Sequence, residues 1–346
     1  MHEIRWIPVL CAVLALAGCD SDAAPMAPDA GEVPLTRAAV VLNSLDATLS
    51  LIPFADTAQA RTLPLGVNPG PGETGAELEV RGQKALAVLG NWVVVADLAS
   101  EVAERRFRLQ GERVAAGAAF LSDTTALLAF AHGEPLHAIN LASGAVRAVP
   151  DAGTDLGAVR VVGSRVYVAG TSPDGAVVLT VLDMTLRPVA TVKLGGSRPR
   201  AMTVRGGQVL VLNGGAPGRA EGSVSVVDTA SLREVSRFSG FGEGATSLAL
   251  SSTGSLFVWV PGTGVHLLDF VTGTLTRAVQ TPGSASANAG LVRVAADPSG
   301  AVYVLRVGNC TGPGVLERLD GAGAAVAMAR TGRCPKDVEF ASIRRR

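Results

Sequence analysis

Aromatic residues make up only 4% of this chain and charged residues only 17%, and there are four cysteines and four histidines in 346 positions. So little charge beside 48% hydrophobic residues excludes a disordered polyelectrolyte. Thirty basic side chains balance thirty acidic ones, so the composition offers no footprint for nucleic acid and no general pull toward anionic lipid. The few histidines and cysteines argue against a multi-metal centre or a cysteine-rich scaffold. A Cys-x-x-Cys pair, a zincin helix, a P-loop, a nucleophile elbow and DxDxDG calcium loops are all missing. Gly214-Gly215-Ala216-Pro217-Gly218 is rich in glycine, but no helical pattern follows it to cradle a phosphate. No helical period is sustained anywhere. The sequence therefore calls for no cofactor and no metal, and it presents no catalytic constellation. His132 and His137 lie five apart, and His266 stands alone in an apolar strand.

What is present begins with a leader. Arg5 precedes an apolar run from Ile7 to Gly18, about a dozen residues where a bilayer span needs about 20. That length suits the core of a secretory signal. The run ends Leu16-Ala17-Gly18-Cys19, which resembles the bacterial lipobox. The resemblance implies cleavage before Cys19, acylation of Cys19 and anchorage to a bilayer through the attached chains. Asp20 to Gly31 is small, acidic and Pro-containing, as a flexible tether would be. The expected organisation is a lipoprotein signal over 1–18, a tether over 19–37 and a folded body over 38–343. The expected location is the bacterial cell envelope, lipid-anchored, on the periplasmic side or at the outer surface.

The body is a repeat. A short apolar strand recurs as Ala39–Leu42, Val93–Ala96, Leu127–Phe130, Val166–Ala169, Val209–Leu212, Leu256–Trp259 and Val302–Leu305, with starts 54, 34, 39, 43, 47 and 46 residues apart. Four-stranded propeller blades run about 40–50 residues, so the copies predict an all-β propeller of seven four-stranded blades. Within 199–238 the strands are separated by a Gly206-Gly207 turn and an Asp228-Thr229-Ala230-Ser231 turn, the residue types that tight hairpins require. Ser225-Val226-Val227-Asp228-Thr229-Ala230-Ser231-Leu232-Arg233-Glu234-Val235 resembles the "VIDTATNTVV" element of YVTN-type propeller repeats. Val209–Asn213 and Val302–Val304 resemble the "YVTN" strand, and Asp297-Pro298-Ser299-Gly300 the turn before it. The resemblance covers 155–340 and implies a surface or envelope role. Residues 77–150 fit it poorly, and Glu101–Arg106 gives no clear third strand.

A propeller must join its ends, because an open ring leaves unpaired sheet edges. Ala38 onward supplies the second to fourth strands of a blade, and the chain finishes on a lone strand, Asp337–Ala341. That strand is expected to complete the first blade. With Cys11 in the leader and Cys19 acylated, Cys310 and Cys334 remain. In an exported compartment they can bond. Both sites fall on the same face of an up-and-down blade.

That face also collects the longer loops. Connections from second to third strands, such as Asn213 to Gly222 and Gly308 to Gly314, and the links between blades all lie there. Loops on a rigid scaffold carry function, so the candidate binding face comprises Arg198, Arg200, Arg219, Glu221, Glu243, Lys336 and Asp337. Three functions compete. One is a non-enzymatic module that binds a protein or a polysaccharide, with no nucleic-acid partner. The alternatives are a propeller hydrolase of the lactonase type with a metal in the central channel, and a purely structural envelope component. Asp155, Glu243, Asp337 and Glu339 are the acids expected near the channel mouths, and they form no evident cage.

Overall fold

The computed structural model describes residues 35–70, 75–111, 113–270, 272–279, 290–308, 310–320 and 324–344. The leader, the lipobox and most of the expected tether lie outside these residues. Among the described residues no helix is long and apolar enough to cross a membrane. Among the described residues the single helical element is a short turn at Thr57–Gln59. Everything else regular is strand. Seven four-stranded antiparallel sheets follow one another as the blades of a propeller.

Blade 1 combines 335–344 with 35–64, blade 2 spans 76–108, blade 3 spans 115–149 and blade 4 spans 154–193. Blades 5, 6 and 7 span 199–239, 247–279 and 291–333. The first strand begins at Leu35, three residues inside the stretch read as tether, and the last ends at Arg344. In blade 1 the terminal strand Pro335–Arg344 is the innermost and pairs antiparallel with Leu35–Asn43, setting Phe340 opposite Ala39 and Val338 opposite Val41. The ring closes as the sequence requires.

Each central strand is apolar throughout because both of its faces are buried. Alternate side chains point to opposite sides of a sheet. In Leu35–Asn43, Ala38, Val40 and Leu42 pack toward blade 2, whereas Ala39 and Val41 pack toward blade 7. Among the described residues there are seven apolar clusters, one for each interface between neighbouring blades. The core is therefore a ring of seven seams. Outer strands meet a neighbour on one side only and carry exposed charge, as in Val102–Arg108, which protects a sheet edge.

The irregular early spacing has a simple cause. In blade 2 the strand equivalent to the recurring one is Lys84–Leu89, and Val93–Ala96 belongs to the next strand, Trp92–Asp97. Taking Ala85 as the start replaces intervals of 54 and 34 by 46 and 42. Glu101–Arg106 lies in the turn and outer strand of the same blade. A repeated device marks the turn from third to outer strand. Asp97, Asn140, Asp183, Asp228, Asp269 and Asp320 each accept a backbone N–H from that turn with a side-chain oxygen. These bonds help hold the Asp183 and Asp228 carboxyls below the usual range. At Asp97 the Lys84 ammonium adds to the turn N–H groups, and against the cost of burial they bring the carboxyl down to about 2.

Candidate functional site

The inner strands define a central channel, and its charges come from blades distant in sequence. The innermost strand of blade 2, Ala76–Arg81, supplies Glu77 and Glu79. Blade 4 supplies Arg160 on Thr154–Val162, blade 7 supplies Arg293 on Leu291–Ala296, and the closing strand supplies Asp337 and Glu339. Arg160 meets Glu79 at 2.8 Å and Glu339 at 3.8 Å. Arg293 meets Asp337 at 2.7 Å through Nε and Glu77 at 3.8 Å through Nη2. Asp337 also accepts the Leu78 N–H at 2.9 Å and the Val338 N–H at 2.7 Å. It therefore ties blade 7 and blade 2 to the strand that closes blade 1.

Among the described residues this ion-pair lattice sets four carboxylates against two guanidiniums. Enclosure makes a surplus of negative charge unfavourable, so protons make up the difference. Burial raises Glu77 to about 7 and Glu339 to about 8, against the opposing pull of Arg293 and Arg160 respectively. Burial pushes Glu79 upward too, opposed by Arg160. The side chains other than Asp337 keep 18% to 32% of their surface, so water reaches them. Asp337 keeps none. Among the described residues no three His, Cys, Asp or Glu side chains form a metal-holding set.

The expected face divides between surface and channel. Arg198, Arg200, Arg219, Glu221, Glu243 and Lys336 are exposed. Each lies in, or next to, a loop joining second and third strands or linking two blades. Glu243 accepts the Gly218 N–H at 2.6 Å, which stitches the link into blade 6 to a loop of blade 5, and Arg219 meets Glu221 at 3.3 Å within that loop. Asp337 is not presented on this face; it is fully buried in the channel lattice. Of the acids expected at the channel mouths, Asp155 accepts the His132 N–H at 3.0 Å, and Glu339 lies inside the channel with Arg160. His137 is buried against Phe130 and Arg113, and His266 pairs with Thr263 at 2.9 Å. Glu77, Glu79, Arg160 and Arg293 went unread in the sequence. They come from three strands far apart in sequence, and only closure of the ring brings them together.

Two further features shape the upper face, the side that carries these loops. Cys310 and Cys334 are disulfide-bonded with Cα atoms 4.5 Å apart, joining a loop of blade 7 to the start of the closing strand. The bond lines a shallow cavity of about 200 Å³ together with Ser44, Leu45, Gly75 and Lys336. At the channel mouth a void of about 40 Å³ is lined by Glu77, Arg160, Arg200, Arg293, Ser247 and Met202, among others.

No protein-family model matches the chain, and no curated protein matches it. Solved structures do. A quinonprotein alcohol dehydrogenase-like protein from Bacteroides thetaiotaomicron is similar with a TM-score of 0.63 at 12% identity, over 88% of this chain and 78% of that one. Hydrazine synthase of Kuenenia stuttgartiensis is similar at 0.57 and 16% identity, over 72% of this chain and 77% of that one. The WD40 propeller domain of Doa1 is similar at 0.55 and 12% identity, over 78% of this chain and 86% of that one. These neighbours have different names and roles and share the architecture alone. The chain is a seven-bladed β-propeller closed by its own C-terminal strand.

Proposed function

We propose that this chain is a lipid-anchored envelope protein whose propeller is a non-enzymatic platform for a partner. The observation that carries the reading is the clustering of exposed, charged loop residues on the upper face. Arg198, Arg200, Arg219, Glu221, Glu243 and Lys336 stand there, above a channel whose interior charges largely pair with one another. A surface presented by a rigid ring loses little order on binding. The lipobox-like Leu16-Ala17-Gly18-Cys19 supports acylation at Cys19, and the YVTN-like string 225–235 supports an envelope role.

Two experiments test this reading. Cells fed labelled palmitate should label the wild-type protein and not Cys19→Ala; equal labelling removes the anchor. A photo-cross-linking residue placed at Arg219 or Glu221 should capture a discrete partner in the native envelope. The same residue at Val189, exposed on the outer strand of blade 4, should not. Capture from Val189 alone, or from none of the three, removes the platform.

A further inference from the structure

Arg198 and Arg200 stand two residues apart beside the channel mouth, and among the described residues neither has an acidic side chain within ion-pair distance. Asp155 acts on Arg200 through space, and its Oδ1 is engaged by the His132 N–H. Partial burial and the like charge of Arg198 hold Arg200 below the usual arginine range. Arg200 is exposed at the rim of the void, so its guanidinium can meet an incoming anion with a charge-assisted hydrogen bond. Arg200 lines the same void as Arg293 and Ser247. Ser247 Oγ accepts the Val294 N–H at 3.0 Å, which leaves its own hydroxyl hydrogen to donate. Glu77 and Arg160 line the void as well, and the apolar Met202 and Leu248 form part of its wall.

We propose that the channel mouth receives an acidic side chain of a protein partner, its carboxylate meeting Arg200, Arg293 and Ser247 and its methylene stem lying against Met202 and Leu248. The proposal rests on the platform reading and names the chemistry that the platform recognises. A void of about 40 Å³ holds the volume of a few water molecules. A carboxylate on a flexible stem can reach into it, whereas a uronic acid carries its ring directly on the carboxylate and is stopped outside. Arg293 has room for the newcomer because Glu77 holds it loosely at 3.8 Å while Asp337 takes Nε at 2.7 Å. The arriving carboxylate displaces Glu77, which faces Arg293, Asp337, Arg160 and Glu79, and Glu77 takes up one proton from solvent. Binding is therefore tighter at pH 6 than at pH 8.

The test uses the full-length protein in detergent and a fluorescein-labelled, C-terminally amidated peptide Gly-Gly-Glu-Gly-Gly, beside the same peptide with Gln. The expected result is at least tenfold preference for the Glu peptide, abolished in Arg200→Gln, retained in Arg147→Gln, exposed on the outer strand of blade 3, and larger at pH 6 than at pH 8. Equal binding of the two peptides, or a preference that survives Arg200→Gln, overturns the proposal. So does polygalacturonate binding more tightly than the peptide with the same dependence on Arg200. Cross-linked adducts from Arg219 without any peptide preference defeat this inference alone and leave the platform standing.

Discussion

Asn43 and Asn213 occupy equivalent places, the last residue of the second strand in blades 1 and 5. Both are fully buried. Asn43 donates Nδ2 to Ser50 Oγ at 2.9 Å and to Thr48 Oγ1 at 3.1 Å, and Asn213 donates to Ser225 Oγ at 2.9 Å and to Ser223 Oγ at 3.3 Å. Each lies against a glycine of the preceding blade's exit, Gly332 at the end of the outer strand of blade 7 or Gly196 in the link from blade 4, where any Cβ would overlap the amide. The polar end of an apolar strand thus fixes the neighbouring strand and the link between blades together. Replacing Asn213 by Ala leaves buried hydroxyls short of a partner and should cost about 1–3 kcal/mol. Asn43→Ala should cost about the same, and because the two sites lie in separate blades the losses should add within about 0.5 kcal/mol. Thermal unfolding of the two single variants and the double variant checks this. A double variant no worse than either single one would show that the two sites do not act independently.

The closing strand Pro335–Arg344 is the element on which the rest of the ring depends, and the Cys310–Cys334 bond secures its start. Linking positions 24 apart in sequence contributes about 3 kcal/mol by loop-closure entropy. The double variant Cys310→Ser, Cys334→Ser should lose that amount, and reductant should lower the melting temperature of the wild type while leaving the variant unchanged. A non-reducing peptide map should recover the two cysteines in one linked fragment. Much of this element was legible in the sequence. Ala38 onward lacks an innermost strand, the chain ends on a spare one, and two cysteines flank the join. The propeller was legible because a strand buried on both faces must be apolar at nearly every position, and that run recurs. Blade 2 hid its register, since Lys84–Leu89 and Trp92–Asp97 are both such runs, and the interval alone selected the wrong one. The channel lattice was not legible. Glu77, Arg160 and Arg293 each look like an ordinary polar residue on a half-exposed strand. Asp337 reads both as a binding-face charge and as a channel-mouth acid, because nothing local distinguishes a charge that ends in a loop from one that turns inward.

For the molecule as a whole the channel makes stability depend on pH. Folded Glu77 and Glu339 titrate at about 7 and about 8, both above their ordinary value of 4.5. Between those limits the folded protein keeps protons that the unfolded chain has released, so stability falls as pH rises from about 4.5 to about 8. The melting temperature should be higher at pH 5.5 than at pH 9. Glu339→Gln should melt above the wild type at pH 9, with that gap closing toward pH 5. An unchanged gap would mean that Glu339 is not the group that titrates. All of this requires that the tail strand brings Asp337 and Glu339 into a channel built with blades 2, 4 and 7. The most direct measurement places cysteines at Arg37 and Ser342, exposed partners across the closing pair, and treats the folded protein with a short bismaleimide. The account predicts near-complete cross-linking within one molecule, read by peptide mass. Two singly modified cysteines and no link, in a protein that still melts cooperatively, would contradict it.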